Sequence, residues 1–333
     1  MTHGATVFGC AGPVLLPEEK AFYRAADPLG FILFARNVET PEQVARLTAD
    51  LRDAVGRDAP VFVDQEGGRV QRLRAPHWLE WLPPLDAVAR AGAGAARMMW
   101  LRARLIAAEL RAVGIDGNCA PCLDIATDVT HPFLRNRCYG TDPATVIAMG
   151  RATADGHLAG GVLPVMKHMP GHGRASADTH HDLPTVATDA ETLRQTDFAA
   201  FRALNDLPAA MTAHIVFSAF DSEPATCSAA MMRVVREEIG FGGLILSDDL
   251  NMQALPGTLG ERAARAVAAG CDIALHCKGD MAEMQAVAAA AGQLTREGQA
   301  RAEAMLAARK APEPADLPVL RAEHDALIGG ADG

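Results

Sequence analysis

Residues 30–64, GFILFARNVETPEQVARLTADLRDAVGRDAPVFVD, contain the repeating unit that decides the fold. Residues 30–34 and 60–64 are short and almost wholly apolar, as expected of strands that are covered on both faces. Between them, residues 41–55 space their apolar side chains as an amphipathic helix does. The segment is therefore predicted to form a strand, a helix and a second strand of a parallel sheet.

The same alternation runs along most of the 333 residues. Eight strands are predicted, at residues 5–10, 30–34, 60–64, 117–125, 162–168, 209–216, 243–247 and 271–276. Helices are predicted at residues 41–55, 97–113, 143–158, 191–204, 228–239, 260–269 and 281–309. This pattern favours an α/β fold, a single TIM-like (β/α)8 barrel, over a doubly wound open sheet, because neither phosphate-loop motif of open sheets occurs. Residues 1–310 are predicted to form the barrel, and residues 311–333 a C-terminal tail.

Composition excludes several classes of protein. The chain has 31 Lys and Arg against 41 Asp and Glu, a net charge of −10. That balance disfavours a nucleic-acid binder, whose surface is basic, and a protein that adsorbs to an anionic membrane. Aromatic residues make up only 5% of the chain, so a stacking platform for a long polymer is not expected.

The seven cysteines and the N-terminus indicate a reducing compartment. An odd number of cysteines scattered along a long chain does not resemble a disulfide framework. Cys119 and Cys122 form a CxxC motif, but no second CxxC follows, so we interpret them as buried reduced thiols rather than a zinc or redox pair. Neither a signal peptide nor an apolar stretch of ~18 residues is present, and we expect a cytoplasmic protein.

Ionisable side chains occur in or just after the apolar runs of four predicted strands. Barrel enzymes carry their sites at the carboxyl ends of their strands, so the fold would bring these groups to one rim. The convergence of groups so far apart in sequence argues for an enzyme. These residues are Asp64, Lys167, His168, His214 and Asp248.

Asp248 and Asp249 follow the seventh predicted strand. A carboxylate at the end of a buried strand is costly unless it caps a helix, pairs with a cation or reacts. We interpret Asp248 as a reactive group and Asp249 as the cap of the next helix.

Residues 167–182 hold most of the remaining candidates, including Asp178, His180, His181 and Asp182. One interpretation is a zinc or iron site, and the other is acid–base catalysis by one histidine that one aspartate orients. Asp178 and His180 are two residues apart, so on an extended loop their side chains would project to the same side. The alternative to both interpretations is a local turn that exposes the histidine to solvent.

Arg72, Arg137 and Lys167 are candidate clamps for an anion or for hydroxyl groups. On an acidic protein they would form a local basic cluster, whose field matters more to a ligand than the total charge. Asp64 could accept hydrogen bonds from two sugar hydroxyls, or pair with Arg69 or Arg72.

Four motifs together resemble those of family 3 glycoside hydrolases, most closely the β-N-acetylhexosaminidase branch. They are Asp64-Gln-Glu-Gly-Gly-Arg-Val-Gln-Arg72, Lys167-His-Met-Pro-Gly-His-Gly173, Asp178-Thr-His180 and Ser247-Asp-Asp-Leu250. The likeness runs from about Gly30 to about Cys277. This chain departs from the family at Met169, where Phe is usual, and at Cys138-Tyr139, where Ser-Phe or Ala-Tyr is usual. Because His181 follows His180, the register of the acid/base rests on the Asp-x-His spacing.

The resemblance implies a retaining glycosidase that needs no metal or other cofactor. Asp248 matches the family nucleophile, His180 the general acid/base and Asp178 the partner that orients it. The positions that hold the hydroxyls of N-acetylglucosamine (GlcNAc) match Asp64, Arg72, Arg137, Lys167 and His168. The second α/β domain of many family 3 enzymes is not expected here.

The resemblance also implies the substrate, a small carbohydrate. A monomeric exo-enzyme is expected to release GlcNAc from cytoplasmic muropeptides, especially those ending in 1,6-anhydro-N-acetylmuramic acid, with no nucleic-acid or membrane partner. Three alternatives stay open: another family 3 β-glycosidase such as a β-glucosidase or β-xylosidase, a metal-dependent barrel hydrolase, and a non-catalytic sugar-binding barrel. The last would require a broken nucleophile or dyad, and neither is broken in this sequence.

Overall fold

Eight parallel strands follow one another around a closed sheet. The computed structural model describes residues 2–175 and 183–329 of the chain. The strands are β1 (Gly4–Phe8), β2 (Pro28–Leu33), β3 (Val61–Val63), β4 (Gly117–Asn118), β5 (Leu163–Met169), β6 (Ala209–Thr212), β7 (Leu244–Leu246) and β8 (Ala274–His276). Each pairs with the next, β8 pairs with β1, and a bridge from Leu246 to Ile273 joins β7 to β8. The predicted TIM-like (β/α)8 barrel is confirmed.

The repeating unit at residues 30–64 forms as its sequence predicts. β2 and β3 pair in parallel through Phe31, Ile32 and Leu33, and their side chains are buried. The helix between them, Pro41–Val55, begins where the Thr40 hydroxyl accepts the Gln43 backbone N–H. It ends at Gly56, whose φ of +65° is a backbone conformation that favours glycine.

The α-helices cover the outside of the barrel. They are α1 (Pro17–Ala26), α2 (Pro41–Val55), α3 (Pro84–Ala91), α4 (Ala95–Ala112), α5 (Pro132–Arg135), α6 (Pro143–Ala159), α7 (Ala190–Gln195), α8 (Asp197–Ala203), α9 (Ala229–Arg233), α10 (Leu259–Ala269), α11 (Met281–Ala291), α12 (Arg296–Ala308) and α13 (Leu317–Gly329). α9 continues into a π-helical turn over Val234–Glu238. In the part of the chain that the structure describes, no helix is long and apolar enough to cross a bilayer.

The predicted strand at residues 117–125 is wrong beyond Asn118. Pro121 has no N–H to donate to a neighbouring strand, and the chain leaves the sheet before it. Contact resumes at a single bridge, where the Lys167 N–H donates to the Pro121 carbonyl oxygen at 2.9 Å. The departure carries Asp124 to the end of β5, which matters for the site.

Two helical predictions also need correction, and other helices are absent from the predicted set. The predicted helix at residues 191–204 is divided at Thr196 into α7 and α8, and the one at 281–309 is divided near Gly292 into α11 and α12. α1 and α3 were not predicted. The segment predicted as a tail contains α13, which packs against α3 and α4.

Candidate active site

A short hairpin follows β3 and positions three charged side chains. Its strands are Gln65–Gly67 and Val70–Gln71. The turn between them places Gly67 and Gly68 at φ of +105° and +58°, which other residues adopt only with strain. The Asn118 side chain holds the base of the hairpin, because its amide accepts the Gln65 N–H at 2.9 Å and donates to the Gln65 carbonyl at 3.0 Å. Asp64, Glu66 and Arg72 therefore project from a fixed backbone.

A continuous network of ion pairs joins this hairpin to β5 and to the segment after α5. The Lys167 Nζ donates to Asp64 Oδ1 at 2.7 Å and to Glu66 Oε1 at 2.6 Å. Arg72 Nη2 donates to Asp64 Oδ2 at 2.9 Å. Arg137 donates to both Glu66 oxygens, from Nε at 3.0 Å and from Nη2 at 2.8 Å. Such a two-point Arg–carboxylate contact fixes the guanidinium in one plane.

His168 extends the network to Asp124. Its Nδ1 lies 2.7 Å from Asp124 Oδ2, and its Nε2 lies 3.3 Å from Arg137 Nη2. Asp124 Oδ1 accepts the backbone N–H groups of His168 at 3.2 Å and of His172 at 2.7 Å. These contacts fit the tautomer in which Nδ1–H donates to Asp124, leaving Nε2 as an acceptor toward Arg137.

Asp248 follows β7 and stays partly exposed toward a cavity. Its Oδ1 accepts the Asp249 N–H at 2.8 Å. Behind it, the buried His214 contacts the Asp249 carbonyl oxygen through Nε2 at 3.1 Å and the Thr226 hydroxyl through Nδ1 at 2.7 Å. The turn that carries Asp248 is therefore held from below.

The prediction that Asp249 caps the following helix is wrong. Its Oδ1 accepts the N–H groups of Asn251 at 3.1 Å and Cys277 at 3.2 Å, so it stabilises a turn and ties that turn to β8. The next helix begins only at Leu259, and Thr258 caps it.

Buried charges shift the pKa values of the site in opposite directions. Burial alone would raise the pKa of Glu66, but Arg137 and Lys167 lower it to about 2. Burial likewise opposes ionisation of Asp248, yet the facing His168 and His214 hold its pKa below the ordinary value. By contrast, burial and the nearby Asp248 carboxylate raise the pKa of Asp249 to about 6. Asp248 is thus the stronger acid of this pair and stays ionised over the wider pH range.

One cavity of about 280 Å³ collects most of the predicted site. The predicted residues that line it are Asp64, Arg72, Arg137, Lys167, His168 and Asp248. Its apolar wall includes Ile32, Phe34, Phe133, Met211, Met252 and Leu275. Asp178 and His180 lie outside the described residues. The cavity therefore unites residues from four separate parts of the sequence and offers both donors and acceptors to a small polar ligand.

Two residues of this network were missed from the sequence. Glu66 lies inside the quoted hairpin motif, and its position two residues after a strand-end aspartate was an available signal. Asp124 lies inside a predicted strand, where a carboxylate in an apolar run indicates a buried partner. Among the described residues, the possible ligand atoms of Cys122, Asp124 and His168 lie within 4.8 Å of one another, as a metal site would require.

The burial of Cys119 and Cys122 agrees with their interpretation as buried reduced thiols. All seven cysteines lie within the described ranges and carry free thiols, and Cys119 and Cys122 are both 1% exposed. Burial raises the pKa of the Cys119 thiol well above its ordinary value, which keeps that thiol neutral.

Comparison with known proteins gives the site its family. The model of the glycosyl hydrolase family 3 N-terminal domain matches residues 25–308. The chain belongs to glycosyl hydrolase family 3. This glycoside hydrolase is 34% identical over 336 residues to the β-hexosaminidase of Methylococcus capsulatus. That alignment covers 98% of this chain and 95% of the relative.

Solved structures agree with this assignment. The family 3 β-N-acetylglucosaminidase of Paenibacillus sp. str. FPU-7 is 29% identical, with a TM-score of 0.86 over 98% of this hydrolase and 66% of that chain. NagZ from Neisseria gonorrhoeae in complex with N-trifluoroacetyl-D-glucosamine is 28% identical, with a TM-score of 0.85 over 100% of this hydrolase and 99% of that chain. The barrel is thus that of family 3 glycosidases.

Proposed function

We propose that this glycoside hydrolase is a retaining exo-β-N-acetylglucosaminidase. It acts as a monomer in the cytoplasm, without a cofactor, and releases GlcNAc from muropeptides in which GlcNAc is β-1,4-linked to 1,6-anhydro-N-acetylmuramic acid. The β-hexosaminidase relatives and the N-acylated glucosamine bound to the gonococcal protein support this substrate class.

The cavity around Asp248 is the observation that carries the proposal. Its volume of about 280 Å³ lies just below the ~300–1,000 Å³ of pockets for drug-sized ligands, which suits one sugar ring rather than a polymer. Asp64 and His168 supply acceptors for hydroxyl groups, and Arg72, Arg137 and Lys167 supply donors. Because these groups already hold one another by ion pairs, they need little reorganisation when the sugar arrives.

The first chemical step forms a covalent intermediate. An Asp248 oxygen attacks the anomeric carbon, and the bond from that carbon to the leaving oxygen breaks. His180 gives its proton to that oxygen, so the aglycone departs as an alcohol rather than an alkoxide and GlcNAc is esterified to Asp248. The lowered pKa of Asp248 supports this role, since a nucleophilic carboxylate has to be ionised at neutral pH.

The second step reverses the roles of the same residues. His180, now neutral, takes a proton from water, and the water oxygen attacks the anomeric carbon from the face that the leaving group vacated. The ester bond breaks, Asp248 is regenerated and GlcNAc leaves with its original configuration. An imidazole of ordinary pKa near ~6.5 suits both halves at neutral pH, and Asp178 would orient it.

Substrate choice is tested with aryl β-glycosides that differ only in the sugar. We expect kcat/KM for the β-GlcNAc compound to exceed that for the β-glucoside and the β-xyloside by at least about 100-fold, as a site built around hydrogen-bonding groups discriminates. Proton NMR should show β-GlcNAc as the first product, and a muropeptide digest should release GlcNAc from the non-reducing end only. Equal rates for the three sugars would reject the N-acetylglucosaminidase assignment, and an α-configured first product would reject retention.

His180→Ala is expected to lower kcat/KM by about 10²–10⁴-fold, the usual contribution of a general acid or base. The loss should be greatest with poor leaving groups, because a dinitrophenolate departs without a proton while an alkoxide does not. His181→Ala is the matched control, with an expected loss under about tenfold. If His181→Ala shows the larger, leaving-group-dependent loss, the acid/base is His181 and the Asp-x-His register is wrong.

A further inference from the structure

Four side chains lie together directly behind the wall of the sugar cavity, and the chemistry above uses only one of them. They are Cys122, Asp124, Cys138 and His168, here called the Cys122 cluster. All are buried, with exposed fractions of 1%, 0%, 0% and 5% in that order. Two of them, Cys122 and Cys138, are thiols that nothing in the proposed reaction requires.

Asp124 is the centre of the cluster. Its Oδ2 lies 3.3 Å from Cys122 Sγ and 2.7 Å from His168 Nδ1. The side chain of Cys138 packs against that of Cys122 in the same small apolar cluster. A thiol, a carboxylate and an imidazole, with a second thiol beside them, are the ligand types that Zn²⁺ and Cd²⁺ take in proteins.

We propose that the Cys122 cluster is an inhibitory binding site for a thiophilic divalent cation, with Cys122, Asp124 and His168 as its ligands. Zn²⁺ and Cd²⁺ are the expected occupants, and Cys138 is the available fourth ligand. The site concerns inhibition and supplies nothing to the hydrolytic steps.

The distances between the ligand atoms of Cys122, Asp124 and His168 suit a bound metal ion. Tetrahedral zinc has bonds of about 2.0–2.3 Å, which separate neighbouring ligand atoms by roughly 3.3–3.8 Å. The Cys122–Asp124 contact already has that length, and the Asp124–His168 contact would have to open by under about 1 Å. The metal would then sit where two hydrogen-bonded protons now point at Asp124 Oδ2.

Charge also balances in the occupied site. The metal binds the Cys122 thiolate and the Asp124 carboxylate, and their two negative charges equal its own charge. The Cys122 proton leaves to solvent, and His168 stays neutral by carrying its proton on Nε2 instead of Nδ1. A neutral buried complex avoids the cost of an uncompensated charge.

Occupancy would disturb the sugar site through the other ring nitrogen of His168. With Nδ1 bound to metal, Nε2 carries the proton and becomes a donor. It would then face the Arg137 Nη2 donor at 3.3 Å, and it could no longer accept a hydrogen bond from a sugar hydroxyl. This consequence rests on the proposed function, whereas metal binding itself does not.

The cluster adjoins the sugar cavity through His168. His168 lines the sugar cavity, so its ring forms the boundary between the cavity and the other three side chains. An ion that enters the cavity meets His168 first, and rotation of one imidazole would admit it.

The experiment titrates the purified full-length protein with Co²⁺ and Cd²⁺ and records the thiolate-to-metal charge-transfer absorption. We expect one equivalent per chain, a band that Cys122→Ser abolishes, and the same band in Cys119→Ser and Cys277→Ser. Cys119 is the other half of the CxxC motif and Cys277 is the thiol that lines the cavity, so they are matched controls. His180→Ala should keep the band, which separates this site from one on the histidine-rich segment.

Activity is the second readout, taken as the ratio of rates with and without metal in each variant. We expect about five- to tenfold inhibition of the wild type, the effect of losing one hydrogen bond to the substrate, and EDTA should reverse it. Inhibition should stay within about twofold in Cys122→Ser.

The absence of a charge-transfer band in the wild type, or a band that survives in Cys122→Ser, would overturn the proposal. If Cys122→Ser does not fold, X-ray absorption of the cadmium-loaded wild type decides: sulfur together with nitrogen or oxygen ligands supports the site, and their absence rejects it. Should the aryl β-GlcNAc not be hydrolysed at all, the spectra still decide the metal site while the proposed function fails.

Discussion

Asp248→Ala is expected to lower turnover of an aryl β-GlcNAc by about 10⁴-fold or more, as removal of a covalent nucleophile does in other enzymes. Burial opposes ionisation of Asp248, yet its pKa stays below the ordinary value, and no salt bridge occupies its carboxylate among the described residues. Asp64 is engaged by Lys167 and Arg72, and Asp249 Oδ1 is engaged by the N–H groups of Asn251 and Cys277. The loss should therefore fall on kcat.

Asp249→Asn is the matched control, since it changes the adjacent carboxyl of the same turn. Its expected loss is about tenfold at most, because the amide oxygen of Asn can still accept the N–H groups of Asn251 and Cys277 that support the turn. A 2-fluoro aryl glycoside should trap an ester, and mass spectrometry of the digested protein should place that ester on Asp248. Normal turnover by Asp248→Ala, or an ester on another residue, would refute the assigned nucleophile.

Glu66→Ala is expected to destabilise the protein by about 3–5 kcal/mol, the usual result when one partner of a buried ion pair is removed. Glu66 is buried, and its two oxygens hold Arg137 and Lys167, so the truncation leaves two cations without this partner. The same cations bind the sugar in the proposed function, and KM should rise together with the loss of stability. Urea denaturation and steady-state kinetics measure the two effects.

Glu80→Ala is the control for that substitution. Glu80 belongs to the same β3–α3 segment and pairs with Arg74 at 2.8 Å, but both side chains are exposed, at 48% and 43%. An exposed pair of this kind contributes about 0–1 kcal/mol. If Glu66→Ala costs no more than Glu80→Ala, the network around Glu66 does not stabilise the barrel.

The pH dependence of stability gives an independent check on Glu66. Its pKa is about 2 in the folded protein and 4.5 ordinarily, so the folded state binds fewer protons than the unfolded state between these values. The contribution to the free energy of unfolding is fully present above pH 4.5 and is lost as the pH falls through about 2. Glu66→Gln should flatten this acid limb in thermal denaturation, whereas Glu80→Gln should leave it unchanged.

The order of the elements was predictable because burial on both faces gives β2, β3 and β7 continuous apolar runs. The same reasoning gave a wrong strand at residues 117–125. That segment is an apolar run, but Pro121 has no backbone N–H to donate to a neighbouring strand. This reasoning also merged α11 with α12, since both are rich in alanine and the break near Gly292 depends on one glycine with positive φ.

The position of the site was predictable for residues at strand ends. Asp64, Lys167, His168 and Asp248 were found because a polar group that ends a buried strand has to lie at the rim of a barrel. The partners of Glu66 and Asp124 were not predictable, because each partner lies far along the chain. Arg137 is 71 residues from Glu66, and His168 is 44 residues from Asp124.

By itself, the sequence determined the barrel, the family and the residue types that reach the rim, since these depend on local apolar patterning and on short motifs. Only the tertiary structure decided that seven ionisable side chains, from Arg72 to Asp124, join in one hydrogen-bonded network. It also decided that two cysteines lie behind His168. Contacts of this kind form between distant segments, and their energies depend on distances of a few ångströms that local patterning does not specify.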